Sequence, residues 1–308
     1  MTTPALPADI AFIERDWLSA NHIMLRDGTG ATLIDTGYGK FNAVTLARVA
    51  ETLVGWGGCE LERIINTHIH SDHIGGNAEL QRQHRGCSIA VPAAEQSALV
   101  HWDSPEQMLS YADQQAERFA WDEVIDAGQT LRLGGEEWQT IATPGHDMGS
   151  LVLYAPRLRI LIAADALWEH GMGFVPPQAI DAAALPAQRA TLERLAALDV
   201  ALVIPGHGPM FTDFRGALAR AMAKLEALAA DDLRVARSVV KGMFVYSMMW
   251  RETMPRAELA DYVARVGVHR DYNAQFFRMS NEAYAEWLCA EAVKTGRVRI
   301  EGDRLVSV

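Results

Sequence analysis

Apolar and polar positions change period several times along this chain, and each change marks an element. Residues 20–26 and 31–35 are strand-like runs separated by Asp27-Gly28-Thr29-Gly30, a hairpin turn of the type glycine permits. Residues 41–56 carry Val44, Leu46, Val49 and Leu53 at helical spacing and stop at Gly57-Gly58, a pair suited to a helix end. Residues 61–66 read as a buried strand, 78–83 as helix, and 88–91 as a strand halted by Pro92. The pattern predicts mostly helix over 93–125, with Trp102, Met108, Tyr111, Phe119 and Trp121 in it. Two hairpins follow, 129–133 with 137–141 through Gly134-Gly135, and 150–154 with 158–162 through Pro156-Arg157. The run 168–177 is rich in Gly and Pro and reads as a loop. Leu185-Pro186 opens a helix to Leu198, with Leu192, Leu195 and Leu198 on one face. A short apolar run over 200–203 completes this part.

From Phe214 the character changes. Residues 217–241 form a long Ala/Leu helical pattern, further helices are expected at 256–266 and 282–294, and 297–308 is a terminal hairpin around Glu301-Gly302-Asp303. The most apolar run of this tail, 242–250, suits core, subunit contact or the wall of an apolar pocket.

The chemistry collects between these elements. Thr67-His68-Ile69-His70-Ser71-Asp72-His73-Ile74-Gly75-Gly76-Asn77 places three histidines and a carboxylate within six residues of a strand-to-helix loop. In extended chain His68 and His70 point the same way, and a turn can bring Asp72 and His73 to a neighbouring point. Imidazole nitrogens and carboxylate oxygens are the ligands that suit zinc and related metals. Three more such residues stand at or just past strand ends: His146 in Thr143-Pro144-Gly145-His146, Asp165 after the apolar run 158–164, and His207 in Ile204-Pro205-Gly206-His207. One sheet edge can gather all of these.

These motifs resemble the metallo-β-lactamase superfamily, close to its glyoxalase II-like hydrolases, over about residues 10–215, including the early Leu33-Ile34-Asp35-Thr36-Gly37 element. The resemblance implies an α+β fold, a four-layer αββα sandwich over residues 1–215, followed over 216–308 by a mainly helical, winged-helix-like extension. It implies one metal on His68, His70 and His146, a second on Asp72, His73 and His207, and Asp165 bridging them. Asp72 and Asp165 are expected to serve the reaction as well as the metals, and Asp35 to orient ligands. Two Zn2+ per chain are expected, with Fe or Mn as substitutes. The implied activity is hydrolysis of a thioester, lactone or ester by a metal-bridging hydroxide. The same fold also hosts phosphodiester or organophosphate hydrolases and mononuclear iron thiol dioxygenases. Two departures leave the substrate open. Trp168 stands where acyl-homoserine lactonases carry Tyr, and the tail shows no glutathione-binding residues. Electron-transfer relatives place an acidic residue where this chain has His70.

Composition narrows the partners. The chain has 308 residues, 49% of them hydrophobic, enough for a sizeable core, and a net charge of −11. That charge disfavours a nucleic-acid partner, and the helix 282–294 is acidic where a phosphate-facing helix needs Lys or Arg. A small-molecule substrate is expected, with room for a homodimer. Cys59, Cys87 and Cys289 are odd in number and widely spaced, which suits free thiols in a reducing compartment. No stretch reaches the ~18 uninterrupted apolar residues of a membrane span, and the first nine residues lack a basic region leading into a long apolar run. The expectation is a cytoplasmic protein with no membrane contact.

Overall fold

The computed structural model describes residues 5–308 except Trp17 and residues 104–106. Strands β1 (Ile10–Ile13), β2 (His22–Asp27), β3 (Gly30–Ile34), β4 (Glu60–Ile65), β5 (Ser88–Pro92) and β6 (Glu123–Ile125) form one sheet in that order. The β1–β2 and β2–β3 pairs are antiparallel, and β3 through β6 are parallel. The second sheet runs β11 (Leu202–Pro205), β10 (Ile160–Ala164), β9 (Leu151–Ala155), β8 (Glu136–Ala142) and β7 (Thr130–Leu133). Its strands pair antiparallel except β10 with β11.

Side-chain alternation on these strands builds the layers. Ile23, Leu25, Ile34 and Ile65 face Leu151, Leu153, Ile160, Ile162, Leu202 and Ile204 in a dry core between the sheets. Their neighbours Met24, Leu33, Ile64, Ile89 and Val91 face outward and are covered by α1 (Asn42–Gly55), α3 (Asn77–Gln83) and α4 (Gln96–Val100). On the far side Val152, Leu161, Ala163 and Val203 are covered by α6 (Ala184–Ala196) and α7 (Phe214–Ala229). The result is the four-layer αββα sandwich. Each fully buried Leu or Ile in these layers contributes about 1.5–3 kcal/mol.

A further core lies beyond α7. It gathers α8 (Asp232–Arg251), α9 (Leu259–Arg265), α10 (Gly267–Tyr272) and α11 (Asn281–Lys294) around Phe244, Tyr262, Val268, Tyr284 and Leu288. Strand β12 (Thr253–Pro255) joins β13 (Val298–Glu301) and β14 (Arg304–Ser307), so the terminal hairpin is two strands of a three-stranded sheet. The last long helix, α11, packs inward: Tyr284, Ala285, Leu288, Cys289 and Ala292 are buried.

Several expectations change. Residues 93–125 are not mostly helical. The described helices of this stretch are short, namely α4, the single turn α5 (Leu109–Ala112) and residues in 3-10 conformation at 93–95 and 107, and the stretch ends in β6. Its aromatic residues pack by insertion between neighbours: Trp102 and Phe119 meet edge to face, with ring centroids 5.8 Å apart. The expected helix over 217–241 is two helices, because the Asp231 side chain accepts from Arg234 N at 3.0 Å and caps a new one. The histidine loop contains a turn of helix, α2 (Ser71–Ile74), that carries Asp72 and His73. Strand β1, α10 and the π-turn Asn273–Phe277 had no counterpart in the sequence pattern. Among the described residues, no helix is long and apolar enough to cross a membrane. Cys59, Cys87 and Cys289 are free thiols.

Candidate metal centre

Five strands of the two sheets release their chains at one rim. Asp35 follows β3, His68 and His70 follow β4, His146 follows β8, Asp165 directly follows β10, and His207 follows β11. Two of these exits need unusual backbone. Asp35 and Ala164 sit in the left-handed region at φ 58 and φ 44, which costs a non-glycine residue of order 1–3 kcal/mol and bends the chain off its strand. Gly173 permits a close approach, since a Cβ there would stand 2.6 Å from the His146 ring.

The rim brings together all seven residues expected as ligands. His68, His70 and His146 form one group, Asp72, His73 and His207 a second, and His68, His73 and Asp165 a third, with donor atoms within 4.8 Å of one another in each. Asp165 stands between the first two. Its Oδ2 is 3.4 Å from His146 Nε2, while its Oδ1 is 3.5 Å from His73 Nε2 and 3.6 Å from His207 Nε2. His70 Nδ1 lies 3.0 Å from His146 Nε2, and His207 Nε2 lies 3.1 Å from Asp72 Oδ2.

Hydrogen bonds behind the ring nitrogens decide which face of each imidazole looks into the rim. The Asp35 carboxylate accepts from Thr67 N at 2.8 Å, from Thr67 Oγ1 at 2.7 Å and from His73 Nδ1 at 2.8 Å. Thr67 Oγ1 has given its proton to Asp35, so it accepts from His68 Nδ1 at 3.1 Å. His146 Nδ1 donates to Phe174 O at 2.6 Å. His68, His73 and His146 therefore all present Nε2 inward, as ligating imidazoles with an outer hydrogen bond do. His68 Nε2 is buried with no hydrogen-bond partner among the described residues, and a lone pair so placed suits a cation. Imidazole nitrogens and carboxylate oxygens at this spacing fit divalent metal of the zinc type.

Electrostatics divide the donor set, with His68 and His70 shifted down and His73 and His207 shifted up. Burial holds His68 well below the usual histidine range, helped by His73 and His70, and pushes His70 down to about 4, helped by His146. Both are neutral near pH 7, the ligating form. Burial raises Asp165, but His207 and His73 outweigh it and hold the carboxyl well below the usual carboxylate range. For Asp72 burial likewise opposes a net downward shift that His73 and His207 produce. His73 moves up despite burial, because Asp35, Asp165 and Asp72 surround it.

Sequence reasoning left other contributors open or missed them. Trp168 points into the site: its Nε1 donates to Asp165 Oδ1 at 3.2 Å and its ring stands 5.3 Å from that of His207. His170, from the same loop, is instead solvent-exposed. Gln188 on α6 accepts from His146 N at 3.1 Å and donates to Ala166 O at 3.2 Å, tying two ligand loops together; nothing in the helical pattern singled it out. Met243 and Tyr246, on α8, line the chamber over the rim together with Met108, Gln114 and Phe174.

The model of the family described as "Metallo-beta-lactamase superfamily" matches residues 15–207. The chain belongs to that superfamily. A hydroxyacylglutathione hydrolase of Rhodobacter capsulatus is 32% identical over 143 residues, 45% of this chain and 44% of that protein. An acyl-coenzyme A thioesterase of Gallus gallus is 25% identical over 210 residues, 62% of this chain and 73% of that one. The chain spans about half the length of the first curated relatives it matches, from 37% to 60%. Among solved structures, a metallo-beta-lactamase family protein from Thermus thermophilus aligns with a TM-score of 0.59 at 20% identity, covering 99% of this chain and 100% of that chain. Metallo-beta-lactamase SMB-1 aligns with a TM-score of 0.57 at 17% identity over 72% of this chain and 93% of its own. Similarity at that level speaks for the fold alone.

Proposed function

We propose that the protein is a dinuclear metal-dependent hydrolase of an ester-like acyl bond, with a thioester as the leading substrate class. One observation carries the reading: the two oxygens of Asp165 face two different histidine groups. A carboxylate so placed would be shared between the two groups when both hold metal. His68, His70 and His146 would hold one metal, and Asp72, His73 and His207 the other. Two zinc ions held there would lower the pKa of water to about 7 and polarise a scissile carbonyl. Asp165 is steadied from behind by the Trp168 indole, which keeps Oδ1 turned toward His73 and His207. Asp72 is the second carboxylate of the site and faces His207. Phe174, Met243 and Tyr246 cover the rim with largely apolar surface and limit water there. Thioesters lead because relatives named for hydroxyacylglutathione and acyl-coenzyme A hydrolysis share this part of the chain.

Protein purified without added metal, analysed for metals and assayed on thioesters, lactones, aryl esters and phosphodiesters, tests the proposal. Two zinc per chain and fastest turnover of a thioester are expected. One iron and no zinc, with oxygen-dependent loss of a thiol, would replace it with the dioxygenase reading. Preference for a phosphodiester would replace the acyl bond.

A further inference from the structure

Two adjoining cavities reach the metal rim. The rim lies under a narrow chamber of about 50 Å³, roomy enough for a reacting group and a few attached atoms. This chamber meets a far larger cleft of about 930 Å³ at His70, Met108, His146 and Phe174, which line both. The cleft is walled by residues 94–101 and 108–111, by the turn 145–149, by residues 174–181, and by Tyr272 from the last core.

Its fixed charges are acidic. Glu95, Asp147 and Asp181 line it beside His70, His101 and His146, with Asp147 Oδ2 3.8 Å from His70 Nε2, and among the described residues no Lys or Arg does. Glu95 and Asp147 are buried, and both carboxylates lie at the turn just after His146: Asp147 Oδ1 accepts from Gly149 N at 2.7 Å, and Glu95 packs against Gly149. Asp181 is held by the Ala183 backbone N–H at 2.8 Å, so its carboxylate is fixed in the cleft wall. The cations in the neighbourhood are turned to other partners. Arg251 is bound to Asp113 at 2.6 Å, Arg270 to Asp271 at 2.8 Å, and Arg118 to the Val100 carbonyl at 3.4 Å. Met108, Met148, Ile180 and Tyr272 supply the apolar remainder. Away from the metal rim, a negatively charged group entering this cleft leaves water for a wall that carries carboxylates and, among the described residues, no Lys or Arg to receive it.

We infer that the cleft receives the longer arm of the acyl substrate, and that this arm carries a positive charge or none. The inference rests on the hydrolase proposed above and narrows it. A thioester of a polyanionic carrier is a poor substrate for this chain, whatever its relatives take, and a thioester whose arm is apolar or ends in a quaternary ammonium is a good one.

The test uses three acetyl thioesters of similar size on the metal-loaded full chain. Their thiols end in trimethylammonium, in tert-butyl, or in carboxylate. The expected order of kcat/KM at low salt is ammonium, then tert-butyl, then carboxylate, with the carboxylate about tenfold or more behind tert-butyl and the gaps shrinking as salt rises. Asp181→Asn should narrow the spread, and Asp181→Lys should narrow it further by helping the carboxylate arm, mainly through KM. A carboxylate thioester equal to or better than the tert-butyl one overturns the inference, and so does an order that neither Asp181 variant changes. Binding of the three free thiols, followed by calorimetry, separates this claim from the hydrolase reading. If no thioester is turned over but the thiols bind in the expected order, the hydrolase reading fails and the charge preference stands. If the thiols bind equally or in reverse order, the charge preference fails.

Discussion

Replacing Asp35 by Asn changes one atom of a carboxylate that touches no predicted metal position, yet its consequence at the rim can be worked out. Asp35 uses acceptors only: Oδ1 takes Thr67 N, and Oδ2 takes both Thr67 Oγ1 and His73 Nδ1. Asparagine keeps one oxygen, which must stay on the Thr67 backbone N–H, because that donor cannot turn. The amide nitrogen then faces Thr67 Oγ1 and His73 Nδ1 as a donor. His73 can meet it only by moving its own proton from Nδ1 to Nε2, the atom that looks into the rim. A protonated Nε2 cannot ligate. The Thr67 hydroxyl is disturbed as well, and through it the His68 Nδ1 bond at 3.1 Å. Both histidine groups are affected from a single outer position. Changes of this kind cost about 10–100-fold in metal affinity or activity, or about 1.4–2.7 kcal/mol. Metal affinity by chelator competition and turnover on one shared substrate measure the effect. Thermal unfolding of the metal-stripped protein shows how much is general destabilisation. Normal metal affinity and normal turnover in Asp35→Asn would refute the tautomer argument and the ligand assignment of His73 with it.

Three other outcomes are expected. Asp165→Ala should lose metal from at least one position and nearly all hydrolysis, while Asp165→Asn keeps the shape and partial occupancy; two metals and near-normal turnover in Asp165→Ala, by elemental analysis and rate, would refute the bridging role. Gly173→Ala should displace His146, against whose ring the new methyl would sit, and weaken metal binding about tenfold or more, read by the same chelator competition. His269 is fully buried in the last core, and burial pushes it down to about 3 from 6.5. The unfolded chain takes up a proton there that the fold refuses, so the stabilisation is complete above pH 6.5 and is lost as pH falls toward about 3. At about 1.4 kcal/mol per unit, His269 alone removes about 2 kcal/mol between pH 6.5 and 5, and denaturant unfolding of His269→Phe should show a shallower fall over that range than the parent chain.

The reading of the chain by period and motif reached the sandwich strands because each face of a strand must satisfy one environment along its length. Ile23 and Leu25 face one layer and Met24 the other, and that regularity is written in the residues themselves. The gathering of these side chains was legible for a related reason: His68, His70, Asp72, His73, His146, Asp165 and His207 each stand at or near a strand end, and a sheet brings its ends to one rim. Their detailed roles were not legible. Which imidazole nitrogen faces inward depends on Thr67, Asp35 and the Phe174 carbonyl, and the last of these comes from far along the chain.

What only the tertiary structure decided is what surrounds that rim. Periodicity over 93–125 predicted helix, yet Met108 and Tyr111 take their places by packing against the last core, which outweighs local preference in a stretch whose described helices are short. The apolar run 242–250 suited core, subunit contact or a pocket wall, and the fold gives it two of these at once: Phe244, Val245 and Met248 belong to the core, Tyr246 lines the chamber over the rim, and Met243 takes part in both. The acidic cleft is equally invisible along the chain. Glu95, Asp147 and Asp181 lie far apart in sequence, and their charges act together only because three loops fold against one cavity, a sum over distances that no local pattern encodes.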